Sequence, residues 1–233
     1  MVGSYPGVMK VEIWSDVVCP WCYIGKRRFE TALARFDGLP PGETVEVSYH
    51  AYQLDPTAPP GSAQPVSEVY ARKFGGPEQA AKIIADVTNV AAEDGITFHL
   101  DQAQRANTLL AHRVIWFAGH RADTDGDADA AMQAAVKERL MAGYFTDGVN
   151  VGDPAVLAVL AASAGMDCDE VAAFLATDEG HAEVMQDIAQ AAAYGITAVP
   201  TYVVNGLWSI PGAQDPDTFV SVLTRMAERA RTT

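Results

Sequence analysis

The sequence is poor in cysteine, in positive charge and in long apolar runs. Only three of its 233 residues are cysteines, too few for the disulfide framework of a small secreted protein. Lysine and arginine number 16 against 30 acidic residues, and the net charge of −14 disfavours binding to nucleic acid or to an anionic membrane surface. No run approaches the roughly 18 uninterrupted apolar residues of a membrane-spanning helix. We therefore expect neither nucleic acid nor membrane among the partners.

The first nine residues contain neither a basic cluster nor an apolar stretch. We therefore expect no signal peptide and predict a cytoplasmic protein. The overall composition, 49% hydrophobic and 20% charged, is typical of a globular protein. A chain of this length can bury a sizeable core, either as one domain or as a domain that carries a large insertion.

Two of the three cysteines belong to one motif, Cys19-Pro20-Trp21-Cys22, which lies between a strand-like run and a helical pattern. A helix N-terminus stabilises the thiolate form of the first sulfur, and the second sulfur is one turn away, within reach to close a disulfide ring. The motif therefore predicts reversible thiol–disulfide chemistry. Pro20 and Trp21 separate the two sulfurs and are expected to influence their redox balance.

A zinc site is the alternative chemistry for such a cysteine pair. Structural zinc normally has four protein ligands, often two such pairs. The sequence has no second Cys-x-x-Cys, and its five histidines show no tight ligand spacing, so we expect no metal. Cys168 stands alone at the start of a predicted helix, and we interpret it as a structural or exposed thiol rather than a catalytic one.

Apolar periodicity divides the chain into three segments. Residues 9–60 show the pattern strand, helix, strand, with the second strand at 44–51, which is typical of a βαβ unit. A stretch rich in proline, glycine and serine at 56–65 leads into a second segment, residues 61–185. This segment is predicted to be all helical, with helices at 67–74, 77–94, 103–120, 127–145 and 154–164 and a further helix beginning at 167–170.

The third segment, residues 186–233, returns to strand character. Strands are predicted at 201–204 and 207–210, joined by a two-residue hairpin turn at Asn205-Gly206, and a last helix follows Asp215. Read together, the two ends of the chain predict an α/β fold, a mixed sheet flanked by helices, with a large all-helical insertion between its halves.

The chain resembles the thioredoxin fold in two features: a strand that ends in Cys-x-x-Cys, and a later Val199-Pro200-Thr201 followed by a hairpin. The large helical insertion resembles that of the DsbA-like branch of this fold. More specifically, the chain resembles the cytosolic FrnE-type oxidoreductases, which are related to 2-hydroxychromene-2-carboxylate isomerases and kappa-class glutathione transferases. The resemblance is carried, in family order, by residues 15–25, 53–56, 105–108, 111–113 and 195–201.

This resemblance implies a thiol–disulfide oxidoreductase that acts on a disulfide-containing protein or a small thiol. Cys19 is then the nucleophile, and Cys22 resolves the mixed disulfide. Val199 and Pro200 match the cis-proline loop that lies beside the cysteines, where the Val199 backbone can pair with an extended substrate.

Three polar residues, Asn107, His112 and Arg113, are predicted to lie on the helix at 103–120 and to face the active-site cleft. We expect them to form part of a substrate site, in which Asn107 and Arg113 bind a peptide carboxylate or glutathione. The alternative is that these side chains make capping and inter-helix hydrogen bonds. Asp16, at the end of the first strand, is either a buried acid that serves proton transfer or a turn residue.

Two other functions stay open on this scaffold. One is a glutathione-dependent isomerase or transferase, although those relatives typically have a single serine in place of the first cysteine. The other is a non-enzymatic, chaperone-like protein that binds clients in the helical cleft. We expect no resident cofactor, with glutathione open as a co-substrate. The direction of electron flow and the choice between monomer and homodimer also stay open.

Overall fold

The computed structural model describes residues 7–38, 43–60, 64–120 and 130–230. Its single described sheet is mixed and contains β1 (Val8–Ser15), β2 (Thr44–Ala51), β3 (Thr201–Val204) and β4 (Trp208–Pro211), in the order β2-β1-β3-β4. β1 pairs in parallel with β2 and antiparallel with β3, and β4 adds antiparallel to β3. The predicted mixed α/β sheet is confirmed.

Helices surround this sheet. Within the described ranges they are α1 (Pro20–Arg35), α2 (Val66–Phe74), α3 (Pro77–Glu93), α4 (Leu109–His120), α5 (Ala130–Phe145), α6 (Pro154–Ser163), α7 (Cys168–Leu175), α8 (His181–Ala193) and α9 (Pro216–Ala230). Six consecutive helices, α2 to α7, separate β2 from α8, so the predicted helical insertion is confirmed. None of the described helices is both long and apolar enough to cross a bilayer.

The two faces of the sheet carry different cores. On one face Tyr202 of β3 contacts Phe29 of α1 and Phe219 of α9, with ring centroids 4.7 to 5.2 Å apart. On the other face Trp14 of β1 packs with residues of α8 and the loop after it. The alternation of a β-strand produces this division, because successive side chains point to opposite faces.

The insertion is attached to the sheet through α5. The Gln133 side chain accepts a hydrogen bond from the Tyr49 N–H at 2.9 Å and donates one to the Tyr49 carbonyl at 3.3 Å, so it pairs with the backbone of β2. On the next turn Glu138 bonds to Lys26 and Arg27 of α1, each at 2.7 Å. These contacts fix α5 against the half of the fold that contains the cysteine motif.

Two local predictions are wrong. The helix predicted at 103–120 begins only at Leu109, because the backbone of the preceding residues is engaged elsewhere. Val66 donates to the Ala103 carbonyl at 3.0 Å, and Arg105 donates to the Gln64 carbonyl at 2.7 Å. These bonds join the two segments in a short antiparallel bridge and compete with the first turn of a helix.

The hairpin turn is three residues long rather than two. Val204 pairs with Trp208, so Leu207 belongs to the turn and not to β4. Asn205 and Gly206 both have positive φ, as a turn at this position requires. Asn205 also exchanges hydrogen bonds with Lys10 of β1, at 2.8 Å in each direction, which fixes the start of the turn.

Two predicted features lie partly outside the described residues. These are the start of the helix at 127 and residues 61–63 of the proline-rich stretch. The division of the chain at residues 60 and 185 stays a prediction, and the second of these limits falls inside α8.

Candidate active site

The cysteine motif forms the junction between β1 and α1. Cys19 is the N-cap residue with an extended backbone, and Pro20 follows at the first helical position, where its missing N–H removes no helical hydrogen bond. The Cys19 N–H donates to the Asp16 carbonyl at 3.2 Å, and the Cys22 N–H donates to the Cys19 carbonyl at 3.0 Å. The first helical turn thus brings the two thiols together at the end of a central strand.

The two thiols are free and buried. Burial raises the pKa of Cys22 well above its ordinary value, and the neighbouring Cys19 sulfur raises it further through a hydrogen bond and its charge. A hydrogen bond with the Asp16 backbone and the charge of Lys137 act in the opposite direction. The net effect is that the Cys22 thiol ionises less readily than an exposed cysteine.

The predicted loop at Val199 and Pro200 lies beside Cys19. The bond between Val199 and Pro200 is cis, and the Cys19 sulfur is 3.7 Å from the Val199 carbonyl oxygen. Gly25 permits this approach, because a Cβ atom there would lie 2.6 Å from Tyr202 Oη and 3.0 Å from Pro200 Cγ. The structure therefore brings together the motif and the loop that the sequence associated with each other.

Asp16 is a fully buried acid next to the dithiol. Its Oδ2 atom accepts a hydrogen bond from the Leu54 N–H at 2.8 Å, and its Oδ1 atom is 3.3 Å from Nε2 of His112. The same His112 nitrogen is 3.0 Å from the Tyr52 carbonyl oxygen. Because the carbonyl oxygen can only accept, we assign a proton to Nε2.

Trp21 is the exposed member of the motif. Its side chain is 45% exposed, whereas both neighbouring cysteines are buried. Leu54, bonded through its backbone to Asp16, is also exposed at 44%. Such apolar side chains on the surface provide contact area for a partner with apolar groups of its own.

A comparison with protein-family models matches residues 10–224 to the DSBA-like thioredoxin domain. The chain belongs to this family. This DSBA-like domain is 27% identical to the uncharacterized protein YwbO of Bacillus subtilis over 226 residues, covering 92% of this chain and 95% of that protein.

Solved structures give the same assignment. The crystal structure of a probable DsbA oxidoreductase from Streptomyces coelicolor is similar with a TM-score of 0.82 and 35% identity, covering 93% of this chain and 89% of that chain. The cytosolic disulfide reductase DsbM of Pseudomonas aeruginosa, solved with GSH, has a TM-score of 0.61 and 17% identity, covering 94% and 99%. At this identity the second comparison supports the fold alone.

The three polar residues of the predicted substrate site make internal contacts in this DSBA-like domain. Asn107 precedes α4 rather than lying on it, and it donates to the Ala58 carbonyl at 2.8 Å while accepting from the Leu109 N–H at 3.0 Å. Arg113 is buried and donates to the carbonyl of residue 174 in α7 and to those of residues 177 and 179 in the loop after it. His112 contacts Asp16. These contacts favour the capping and inter-helix alternative for Asn107 and Arg113.

Two residues of the insertion that the sequence did not identify influence the dithiol. Lys137 of α5 is buried, and burial lowers its pKa to about 8 although the charges of Cys22 and Asp16 favour its protonated form. On α2, burial and the charge of Cys19 raise the pKa of Tyr70 to about 12. The sequence contained a signal for the burial of Lys137, because Lys137 falls at helical spacing on the same stripe of α5 as Gln133, Leu140, Met141 and Tyr144. It contained no such signal for Tyr70.

Proposed function

We propose that this protein is a thiol–disulfide oxidoreductase of the FrnE type in which Cys19 is the nucleophile and Cys22 the resolving cysteine. The observation that carries the proposal is the pair of free, buried thiols at the start of α1, where the Cys19 sulfur lies 3.7 Å from the Val199 carbonyl oxygen of the cis Val199–Pro200 loop. A cysteine at a helix N-terminus is well placed to act as the nucleophile.

The exchange takes place in two steps. The Cys19 thiolate attacks one sulfur of a substrate disulfide, forming a mixed disulfide and releasing the other substrate sulfur as a thiolate. Cys22 then loses its proton and attacks Cys19, which closes the Cys19–Cys22 disulfide and releases the second substrate sulfur. The substrate gains two electrons, and the protein dithiol loses them. The reverse sequence oxidises a substrate dithiol.

The surface around Cys19 supports a disulfide-containing protein or a small disulfide as substrate. The Val199 carbonyl is close to the Cys19 sulfur, and an extended segment placed there could pair with this loop while it contacts exposed Trp21. Glutathione is our proposed small-molecule co-substrate. We propose this co-substrate and a cytoplasmic location by analogy with DsbM, a cytosolic disulfide reductase of the same fold that was solved with GSH.

The test measures reduction of insulin, and refolding of a reduced disulfide protein, by the wild type and by three single variants. Cys19→Ser abolishes both activities, and Cys22→Ser accumulates a mixed disulfide that mass spectrometry detects. Cys168→Ser is the matched control, because Cys168 is an exposed thiol on α7, and its loss leaves both activities unchanged. Full activity in Cys19→Ser would refute the proposal.

The direction of electron flow is measured separately. Equilibration of the dithiol with glutathione buffers gives its reduction potential. A value of about −270 mV indicates a reductase and one of about −120 mV an oxidant.

An aggregation assay tests the chaperone-like function. That function would be favoured if the wild type and a variant lacking both active-site cysteines suppressed the aggregation of a client protein equally well.

A further inference from the structure

Lys137 carries a charge in a place where a charge is unfavourable. Its side chain is 1% exposed, and within the described ranges no atom accepts a hydrogen bond from its Nζ atom. An unpaired ammonium inside a protein loses its hydration without compensation. Methionine would fill a similar space without this loss, so the presence of lysine points to a role in the chemistry nearby.

The neighbouring turns of α5 do not neutralise this charge. Glu138, the next residue, is bonded to Lys26, Arg27 and Tyr23 on α1. Gln133, one turn earlier, is bonded to the backbone of Tyr49. Lys137 itself lies over the Tyr49 ring, with Nζ 5.1 Å from the ring centroid, which is a favourable but weak contact for a cation.

The groups whose charges act on Lys137 belong to the dithiol and its surroundings. Cys22, Asp16 and Cys19 favour the ammonium, in decreasing order, and Lys26 opposes it. Lys26 is itself paired with Glu30 at 2.6 Å and Glu138 at 2.7 Å. Asp16 is already bonded to the Leu54 N–H and His112. Cys22 is thus the strongest of these charge influences on Lys137, and the charge of Lys137 is in turn among the main influences on the pKa of Cys22, which it lowers.

We propose that Lys137 is a positioning residue for the resolving step, in which its ammonium stabilises the Cys22 thiolate that attacks the mixed disulfide on Cys19. This inference rests on the exchange mechanism proposed above. In that step Cys22 releases its proton to the solution, its sulfur forms a bond to the Cys19 sulfur, and the bond between Cys19 and the substrate breaks. A helix of the insertion would then supply a positive charge that assists the reaction of the two cysteines in the thioredoxin half.

An aromatic disulfide, 5,5′-dithiobis(2-nitrobenzoate), separates the two steps. With one equivalent of reagent per protein, attack by Cys19 releases one coloured thiolate, and attack by Cys22 releases the second. All proteins carry Cys168→Ser, because this exposed thiol would react as well. The variants are Lys137→Met, Lys137→Arg and, as the matched control, Lys26→Met, which removes a buried lysine that is neutralised by two carboxylates.

We expect Lys137→Met to slow the second release and leave the first nearly unchanged. An opposite charge shifts a thiol pKa by one unit or more, and the stronger nucleophilicity of a more basic thiolate compensates in part. The second release should therefore be roughly 3- to 10-fold slower at pH 7, with its pH profile displaced to higher pH. Lys137→Arg retains the charge and restores the rate to within about 2-fold. Lys26→Met does not slow the second release, because it removes a charge that opposes the Lys137 ammonium.

An equilibrium measurement covers the case in which a kinetic variant folds poorly. In the Cys19→Ser background, titration of the Cys22 thiolate by its absorbance should move to higher pH when Lys137 is replaced by glutamine. An unchanged second release in Lys137→Met, or an unmoved Cys22 titration in Lys137→Gln, would overturn the role of Lys137. Absence of the first release in the wild type would instead refute the proposed function.

Discussion

His112 Nε2 lies 3.3 Å from Oδ1 of Asp16, and both side chains are buried next to the cysteine motif. The histidine comes from the insertion and the aspartate from the end of β1, so this contact joins the two parts of the fold at the site. We expect His112→Ala to lower the free energy of unfolding by about 2–4 kcal/mol, because it leaves a cavity and an incompletely bonded buried carboxylate.

Denaturant unfolding measures this effect. The matched control is His120→Ala at the exposed end of the same helix, where the change should stay within about 1 kcal/mol. Equal losses in the two variants would contradict the importance of the contact with Asp16.

Arg113 offers a second test, because its proposed ligand-binding role and its observed contacts predict different results. Its guanidinium donates to three carbonyls at 2.7 to 3.4 Å. We expect Arg113→Met to lower stability by about 2–4 kcal/mol while the KM for glutathione stays the same. A large increase in KM with unchanged stability would restore Arg113 to the substrate site.

Gly25 is predicted to be intolerant of a side chain. A Cβ atom there would be only 2.6 Å from Tyr202 Oη, so Gly25→Ala should cost about 1–3 kcal/mol of stability through overpacking. The Tyr202 hydroxyl has no hydrogen-bond partner among the described residues, so Tyr202→Phe should be nearly neutral. Thermal unfolding should show that the double variant Gly25→Ala/Tyr202→Phe regains part of the stability lost in Gly25→Ala. If it regains none, the added methyl group is strained against another atom, such as Cγ of Pro200.

The lowered pKa of Lys137 predicts a stability that depends on pH. Its ordinary value of 10.5 falls to about 8 in the folded protein. Below pH 8 Lys137 is protonated in both states, and burying its ammonium destabilises the native state. Between pH 8 and 10.5 the unfolded chain binds a proton at Lys137 that the native chain does not. Raising the pH through this window therefore favours the native state.

Lys137→Met should accordingly be more stable than the wild type at pH 7, by roughly 3 kcal/mol for a shift of this size. Its advantage should shrink as the pH approaches 10. Urea unfolding of both proteins at pH 7 and pH 10 gives this difference, in which the titration of the buried tyrosines cancels. An advantage that does not vary with pH would mean that the cost of Lys137 is not its charge.

The elements of the fold were largely predictable, because strands and helices are encoded by neighbours in the sequence. The limits predicted for β2 and β3 agree with the structure, and α6 and α7 begin where helices were predicted, each capped by the side chain of the preceding aspartate, Asp153 or Asp167. The start of α4 was not predictable, because the residues before Leu109 bond to a segment some forty positions earlier and not to their own helix.

By itself, the sequence determined the dithiol and its place between a strand and a helix, because spacing and capping act within a few residues of each other. The Val-Pro loop is some 180 residues away, and only the resemblance to a known family associated it with the motif. Only the tertiary structure decided that the Cys22 thiol ionises less readily than an exposed cysteine, that Arg113 bonds to carbonyls, and that Lys137 is buried near the sulfurs. Burial and Coulomb interactions depend on distances in space, and the packing of the insertion against α1 and β2 sets those distances.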